Sequence, residues 1–195
     1  MDKKEKLIKK IDGKELTGYQ IINFKEPTKK ATVIPLSKLN QLTPKDISEI
    51  VRICNQHDVY ELLFKKMLNG KKYQIANAHS FESWANQGWE NNSNFTFLIK
   101  SDGEKVIGTI DIKTNDPDNA EVGYWMDKDY PGYMTNALVG LITQAKAVGY
   151  RSLVAYTKIE NNKSKGVLSR AGFQYVGQEE RTPGTIRDKF TLSLY

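Results

Sequence analysis

Apolar residues follow two different spacings along this chain, and the change comes just after Asn94. Between residues 43 and 90 they recur mostly three or four positions apart, which is typical of amphipathic helices. After Asn94 they alternate with other residues, as in β-strands that bury one face. The pattern therefore predicts helices in the first half of the chain and a β-hairpin at the start of the second.

The first 30 residues are polar and contain one short strand-like piece, residues 19–24, which is ended by Glu26-Pro27. The sequence leaves open whether this piece adds a strand to the fold or forms a loose arm. Residues 32–36 form the next predicted strand. We therefore divide the chain into a polar N-terminal extension, residues 1–30, and a single domain, residues 31–195.

A helix start with recognisable capping residues follows the strand at residues 32–36. Thr43 is a preferred N-cap residue, Pro44 fits the first turn, and Asp46 lies near the positive end of the helix dipole. Apolar residues at helical spacing continue to Cys54. A cysteine on an apolar stripe suits packing in the core better than nucleophilic chemistry, so we interpret Cys54 as a core residue.

Two more helices are predicted before Asn94. The second covers about residues 59–68 and stops near Gly70, and the third begins at Ser80. Phe81 and Trp84 fall on the predicted buried side of the third helix.

Three antiparallel strands and a long helix are predicted next. Residues 95–99 and 106–112 alternate on either side of a polar turn, which indicates a hairpin, and residues 121–126 form a third strand. The helix begins after Pro131-Gly132 and runs to about Val148.

The last elements introduce a parallel crossover. Residues 152–157 are a short apolar strand suited to a buried parallel position, residues 162–170 form a helix, and a final hairpin turns at Pro183-Gly184. A strand-helix-strand crossover within an antiparallel sheet implies an α/β (α+β) fold. We expect a mixed, mostly antiparallel sheet with a central β-α-β crossover and helices on both faces.

Composition narrows the class of protein. A hydrophobic fraction of 39% and a charged fraction of 27% fit a folded globular chain. No apolar stretch reaches the roughly 20 residues needed to cross a bilayer, and the first residues lack the apolar region of a secretion signal. We therefore expect no membrane partner and a cytoplasmic location, and the single cysteine fits a reducing compartment.

The net charge of +6 can indicate an anionic partner, but the basic residues are spread along the chain, and we interpret them first as a solvated lysine-rich surface. No zinc-finger spacing or RNA-recognition motif accompanies this charge, so we do not expect a nucleic-acid partner. His57 and His79 stand far apart and the single cysteine offers no metal-ligand spacing, so no metal is predicted. Nothing in the sequence indicates the oligomeric state.

Two segments carry a resemblance to a known family. Residues 121–138 read EVGYWMDKDYPGYMTNAL, and residues 161–173 read NNKSKGVLSRAGF. The first resembles the strand, loop and helix of GNAT N-acetyltransferases, most closely the RimJ/RimL-like branch of ribosomal-protein N-terminal acetyltransferases. The second resembles the Asn-x-x-Ser, Val-Leu and Gly-Phe signature of that branch. Together the similarities cover about residues 32–195.

The resemblance implies a GNAT fold, acetyl-CoA as co-substrate, no metal, and a primary amine as acceptor, either on a small molecule or at a protein N-terminus. In this family the amine attacks the thioester directly within a ternary complex, which requires a base, donors for the thioester oxygen and an acid for the thiolate. Glu121 matches the family's base and Ser164 the acid. The implied cofactor contacts are Trp125, Met126, Gly132, Tyr133, Met134, Thr135 and Asn161, and the implied acceptor contacts are Phe81 and Trp84.

The residues themselves support this interpretation but leave alternatives open. A loop that enters a helix N-terminus offers unpaired N–H groups and the positive end of the dipole, which suits a pyrophosphate. An ordinary helix start would also explain Pro131-Gly132, a simple N-cap would explain Asn161, and a solvent-facing strand position would explain Glu121.

Two residues depart from the family's loop. If Gly132 is the matching glycine, Asp129 replaces a basic or amide residue and Met134 replaces a small one. Asp129 would repel a phosphate, and Met134 would crowd it. A second hypothesis therefore stays open at this point, in which the chain is a catalytically degenerate GNAT domain that binds acyl-CoA or another partner without turnover.

Overall fold

The computed structural model describes residues 15–195, so part of the predicted N-terminal extension, residues 1–14, lies outside the described residues. Eight strands are present in that part of the chain. They are β1 (Tyr19–Ile22), β2 (Lys30–Pro35), β3 (Phe95–Ser101), β4 (Val106–Ile112), β5 (Ala120–Met126), β6 (Ser152–Thr157), β7 (Gln174–Thr182) and β8 (Thr185–Ser193).

Within residues 15–195, five α-helical segments accompany these strands. They are α1 (Pro44–Cys54), α2 (His57–Val59), which continues as a π-helical turn (Tyr60–Phe64), α3 (Ile75–Asn91), α4 (Met134–Ala147) and α5 (Asn162–Arg170). No helix within residues 15–195 is long and apolar enough to span a bilayer.

All eight strands belong to one sheet with the order β1-β2-β3-β4-β5-β6-β8-β7. Every neighbouring pair is antiparallel except β5 and β6, which are parallel and are joined by the crossover helix α4. The predicted mixed, mostly antiparallel sheet is therefore confirmed. The strand-like piece near the N-terminus becomes β1, which pairs with β2 at the edge of the sheet.

Alternation along the strands divides the core between the two faces of the sheet. On β3, Phe97 and Ile99 pack in the cluster that contains Leu138 and Leu141 of α4. Leu98, between them, packs in a second cluster with Ile50 of α1 and residues of α3. Successive side chains of a strand point to opposite faces, so α4 covers one face, here called the α4 face, and α1 and α3 cover the other, here called the α1/α3 face.

The predicted start of α1 is confirmed. The Asp46 N–H donates to Thr43 Oγ1 at 3.2 Å, and the Thr43 N–H donates to Asp46 Oδ2 at 3.0 Å, which is a reciprocal capping box. Lys100 of β3 donates to the same Asp46 carboxylate at 3.1 Å. The buried carboxylate of Asp46 thus caps the N-terminus of α1 and ties this helix to the sheet.

The two helices that follow α1 differ from the prediction. The segment predicted as a helix over residues 59–68 is a short α-helix and a π-helical turn that end at Phe64, followed by turns up to Gly70. The third helix begins at Ile75, five residues before Ser80, because the Gln74 N–H is held by Asn77 Oδ1 at 2.8 Å. The first turn of α3 is thus held by Asn77, and Ser80 lies inside the helix.

The buried side of α3 was also predicted wrongly in part. Trp84 is 42% exposed, whereas Ala78 and Ala85 are fully buried. Small side chains let α3 approach the sheet closely, so the large indole lies toward solvent. The predicted strand over residues 152–157 and helix over residues 162–170 have the observed bounds.

Candidate active site

Strands β5 and β6 pair over only one short stretch and then separate. Ala120 pairs with Leu153 and Glu121 with Val154, after which β5 pairs only with β4 and β6 only with β8. The separation opens a gap in the middle of the sheet, here called the β5–β6 gap, between residues 122–126 and residues 155–157.

Backbone groups of β5 face this gap in alternation. The Lys113 N–H donates to the Glu121 carbonyl at 2.8 Å, so the Glu121 backbone points toward β4, as do those of Gly123 and Trp125. The N–H and C=O groups of the intervening residues point toward the gap. These residues are Val122, Tyr124 and Met126. Of the two backbone contacts expected from the sequence, the structure brings Met126 to the gap and directs Trp125 to the neighbouring strand.

Helix α4 begins immediately after the loop that leaves β5. The side chain of its N-cap residue, Tyr133, makes no capping hydrogen bond, whereas Thr43 caps α1 and Asn161 caps α5. The N–H groups in the first turn of α4 and the positive end of its helix dipole therefore lie beside the β5–β6 gap. The side chain of the N-cap residue does not accept from these N–H groups. An anionic ligand fits there.

A buried carboxylate anchors the loop between β5 and α4. Asp127 is 1% exposed, and its Oδ1 accepts from Gln56 Nε2 at 2.7 Å and from the Asp129 N–H at 3.0 Å. The Arg52 guanidinium donates to Oδ2. Burial alone would raise the pKa of Asp127, but the hydrogen bonds from Arg52 and Gln56 outweigh it and hold the pKa below its ordinary value. The loop is thereby fixed to the end of α1.

The second anchor of the loop is Asn23, just after β1. Asn23 Nδ2 donates to the Pro131 carbonyl at 2.9 Å, and the Phe24 N–H donates to the Gly132 carbonyl at 2.7 Å. Gly132 has a φ of 97°, and a Cβ there would lie 2.3 Å from Asn23 Oδ1. Glycine is therefore required at this position by the packing of Asn23 and by the left-handed backbone.

The three predicted cofactor-loop residues that follow Gly132 are all buried. Tyr133 and Met134 are 4% and 5% exposed, respectively, and belong to the core on the α4 face. Thr135 Oγ1 accepts from Arg170 Nε of α5 at 3.2 Å. Met134 thus points into the core, so its side chain does not crowd the exposed side of the loop.

Asp129, the other departure from the family's loop, lies among basic residues. Its carboxylate accepts from Lys128 Nζ at 2.9 Å, and Arg52 approaches it at 3.9 Å. Since 57% of its side chain is exposed, solvent and these cations screen its charge.

Glu121 lies where β5 and β6 begin to separate, and its carboxylate is engaged at both oxygens. Lys113 Nζ donates to Oε1 at 3.2 Å, and Arg181 of β7 donates to Oε2 at 2.6 Å. The Arg181 guanidinium also lies 3.7 Å from the centre of the Tyr156 ring on β6. The proton acceptor suggested by the sequence is therefore held in a network of cations.

Asp111 is a further carboxylate beside Glu121 that sequence reasoning missed. It pairs with Gly123 across β4 and β5, is 9% exposed, and its Oδ1 has no hydrogen-bond partner in the described part of the chain. Burial raises the pKa of Asp111 above its ordinary value, and the Lys113 charge only partly offsets this. The available signal was an aspartate between Ile110 and Ile112, at a position that shares the face of Glu121.

Tyr124 is a second missed residue, and it reaches the acid candidate Ser164. Its hydroxyl lies 2.8 Å from Ser164 Oγ and 3.2 Å from the Ser164 carbonyl oxygen. Burial raises the pKa of Tyr124 to about 12, so the phenol keeps its proton at neutral pH. Asn161 caps α5 by accepting from the Ser164 N–H at 3.1 Å.

A groove of about 500 Å³ lies beyond the carboxyl end of β6. Asn161 lines it from the start of α5, and His57 and Leu62 line it from α2 and the π-helical turn. Lys158 Nζ donates to the Glu61 carbonyl at 2.8 Å, which holds the π-helical turn against this end of the sheet.

The two predicted acceptor contacts lie together on α3. The rings of Phe81 and Trp84 stack with their centres 6.2 Å apart. Phe81 packs in the cluster on the α1/α3 face, which also includes Trp125 of β5. The pair therefore shares a face of the sheet with Trp125, and by strand alternation with Glu121 and Gly123.

The profile of the family described as "Acetyltransferase (GNAT) domain" matches residues 38–174 of the chain. Among curated proteins, none matches the chain significantly.

Solved structures supply similar folds at low sequence identity. RimJ of Mycobacterium smegmatis in complex with CoA-disulfide is 19% identical, with a TM-score of 0.69, and the alignment covers 91% of this chain and 87% of that one. The microcin C7 self-immunity acetyltransferase MccE, in complex with acetyl-CoA and AMP, is 20% identical, with a TM-score of 0.67 and coverages of 84% and 92%. RimL in complex with coenzyme A is 14% identical, with a TM-score of 0.66 and coverages of 84% and 93%.

Proposed function

Because the chain belongs to the GNAT acetyltransferase family, we propose that it transfers an acetyl group from acetyl-CoA to a primary amine within a ternary complex. The observation that carries the proposal is the β5–β6 gap, which opens directly beside the N-terminus of α4. Backbone donors and acceptors at the gap suit an amide-containing arm, and the helix N-terminus suits the pyrophosphate at the other end of that arm.

The chain's own residues divide the binding of acetyl-CoA between them. The backbone N–H and C=O groups of Val122, Tyr124 and Met126, which point toward the β5–β6 gap, would hold the pantetheine amides. The backbone N–H groups of the first turn of α4, which includes Thr135, would hold the pyrophosphate. Asn161 lines the groove at the far end of β6.

The reaction requires a base, a donor to the thioester oxygen and a proton donor for the thiolate, and we assign each role to groups of this chain. A carboxylate on the α1/α3 face takes a proton from the acceptor's ammonium group. A backbone N–H at the gap, with Met126 as our candidate, donates to the thioester oxygen as negative charge develops on it. The hydroxyls of Tyr124 and Ser164 supply the donor for the departing thiolate.

The solved complexes support the choice of co-substrate. MccE and RimL have the fold of this chain and hold acetyl-CoA and coenzyme A, respectively. The two loop departures do not favour the degenerate alternative, because Met134 is buried in the core and Asp129 is paired with Lys128. We propose amines of small molecules or of protein N-termini as acceptors.

Calorimetric titration with acetyl-CoA tests the first half of the proposal. We expect saturable binding in the micromolar range that weakens as salt rises, since phosphate contacts are screened by ions. Absence of binding at millimolar acetyl-CoA would remove the cofactor site.

Thiol release tests the second half. The purified protein is mixed with acetyl-CoA and, in separate reactions, a peptide with a free N-terminus, spermidine and an aminoglycoside. We expect amine-dependent release of free coenzyme A with at least one of them. Binding of acetyl-CoA without release in any reaction would instead support an acyl-CoA-binding protein without turnover.

A further inference from the structure

The space above Gly123 on the α1/α3 face is filled by two charged groups, Asp111 of β4 and Lys113, which directly follows that strand. A Cβ at Gly123 would lie 2.8 Å from Asp111 Oδ1 and 2.9 Å from Lys113 Nζ. Because Gly123 has no side chain, the space above it holds both the Lys113 ammonium group and the Asp111 carboxylate. This place lies two residues beyond Glu121, the last residue of β5 that pairs with β6, and so directly beside the β5–β6 gap.

The two charged groups are not equally satisfied. Lys113 Nζ donates to Glu121 Oε1 at 3.2 Å, and its side chain is 44% exposed, so it has a partner and access to solvent. Asp111 is 9% exposed and its Oδ1 has no hydrogen-bond partner among residues 15–195. A buried carboxylate oxygen without a donor destabilises the fold, which calls for a ligand that supplies the donor.

We propose that the acceptor's ammonium group binds Asp111 Oδ1 in the space above Gly123, where it displaces Lys113 Nζ, and that Asp111 takes its proton. This inference rests on the proposed acetyl transfer and names the group that receives the acceptor. Asp111 is better suited to the role than Glu121, because both Glu121 oxygens already accept from cations and the free oxygen of Asp111 does not.

The step balances without a further reactant. One proton passes from the ammonium nitrogen to Asp111, and the nitrogen lone pair forms the N–C bond to the acetyl carbon. The C–S bond breaks with its electron pair on sulfur, and the thiolate takes a proton from the Tyr124 and Ser164 hydroxyls. The second proton of the nitrogen is released to water, from which the hydroxyl pair is reprotonated. Asp111 then returns its proton to water. Lys113, Glu121 and Arg181 are the charged groups around this site that set its titration.

Asp111→Asn tests the proton transfer, with Asp102→Asn in the exposed β3–β4 turn as the matched control. With an amine that the wild type acetylates, we expect Asp111→Asn to lower kcat/KM about 100-fold or more at pH 7 and to leave acetyl-CoA affinity unchanged. The pH profile separates catalysis from structure. Wild-type kcat/KM should reach a plateau below the pKa of the amine, whereas the variant should rise about tenfold per pH unit up to that pKa, because only free amine reacts. Equal profiles in the two proteins would overturn the proposal.

A second arm needs no acceptor turnover. Lys113→Met removes the ammonium group from the space above Gly123. We expect ethylammonium chloride to raise the melting temperature of this variant more than tetramethylammonium chloride does at the same concentration. The double variant with Asp111→Asn should show no such difference. Lack of an ammonium-specific shift in Lys113→Met would contradict the site. If Lys113→Met binds ethylammonium in this way but the wild type acetylates no amine, the proposed function fails and the ammonium site stands.

Discussion

The hydroxyl groups of Tyr124 and Ser164 lie 2.8 Å apart and join strand β5 to helix α5 across the side of the β5–β6 gap. Either oxygen can donate in this pair, and burial keeps the Tyr124 phenol protonated at neutral pH. The pair is therefore a two-membered proton donor, and each residue should be tested both alone and together with the other.

We expect Tyr124→Phe to lower kcat about 100-fold, since loss of a general acid has effects of that order. Ser164→Ala should have a smaller effect, because the phenol remains, and the double variant should be no faster than Tyr124→Phe. Steady-state thiol release measures kcat, and calorimetry should show unchanged acetyl-CoA affinity. Full turnover in the double variant would exclude both residues as proton donors.

Gly132→Ala should damage the loop between β5 and α4. The matched control is Gly184→Ala in the β7–β8 turn, where φ is 74° and a Cβ meets nothing within 4 Å. Both substitutions place a side chain in left-handed backbone, at a cost of about 1–2 kcal/mol. Only Gly132→Ala also pushes against Asn23, so it should lose more stability in urea unfolding.

Acetyl-CoA binding should follow the same order. We expect the affinity to fall at least tenfold in Gly132→Ala, because displacement of Asn23 shifts the start of α4, and to stay unchanged in Gly184→Ala. Unchanged affinity in both variants would show that the loop does not contact the co-substrate.

Asp127→Asn should destabilise the protein, because the new amide nitrogen is itself a donor. It would face the three groups that now donate to the carboxylate, which are the Arg52 guanidinium, the Gln56 amide and the Asp129 N–H. We expect the free energy of unfolding to fall by about 3 kcal/mol at pH 7, whereas Asp129→Asn at the exposed neighbouring carboxylate should change it by less than about 0.5 kcal/mol. The folded pKa of Asp127 is depressed, so its stabilisation is present above the ordinary aspartate pKa of about 3.9 and is lost as pH falls through the folded pKa. Urea unfolding at several pH values should show the difference from wild type shrinking in acid.

Asp111 should show the opposite dependence on pH. Its folded pKa is raised, so the unfolded state ionises first as pH rises and the folded state loses stability relative to it. Asp111→Asn removes this loss. We therefore expect the variant to unfold at nearly the same temperature as wild type near pH 4 and at a higher temperature at pH 8. A lower melting temperature at pH 8 would mean that Asp111 supports the fold.

The sheet and its crossover were predictable because their signals are local. Alternating residues mark β3 and β4, and a cap with a proline marks α1, so the main elements and the mixed sheet follow from short stretches of sequence. The start of α3 was not predictable in this way. It depends on Asn77 Oδ1 accepting from the Gln74 N–H, and Gln74 is not a preferred N-cap residue. The outward position of Trp84 follows from how closely α3 packs on the sheet.

The polar groups at the gap were harder to predict, since they meet only through the sheet register. Asp111 and Gly123 lie twelve positions apart and become neighbours because β4 pairs with β5. Arg181 of β7 reaches Glu121 of β5 over the two strands that lie between them in the sheet, β6 and β8. Sequence patterns identify which residues alternate on a strand, but not which buried carboxylate is left without a donor.

Asn23 lies fifteen positions ahead of the region matched by the family profile, yet its side chain holds the Pro131 carbonyl and fits against Gly132. A shortened protein that starts at the first matched residue, Lys38, would therefore lack strands β1 and β2 and also the support for the loop at α4. Such a truncated protein would be inactive even though both segments that resemble the family, residues 121–138 and 161–173, are intact. Fragments of related chains should accordingly be cut by the hydrogen bonds of the sheet edge rather than by the limits of family similarity.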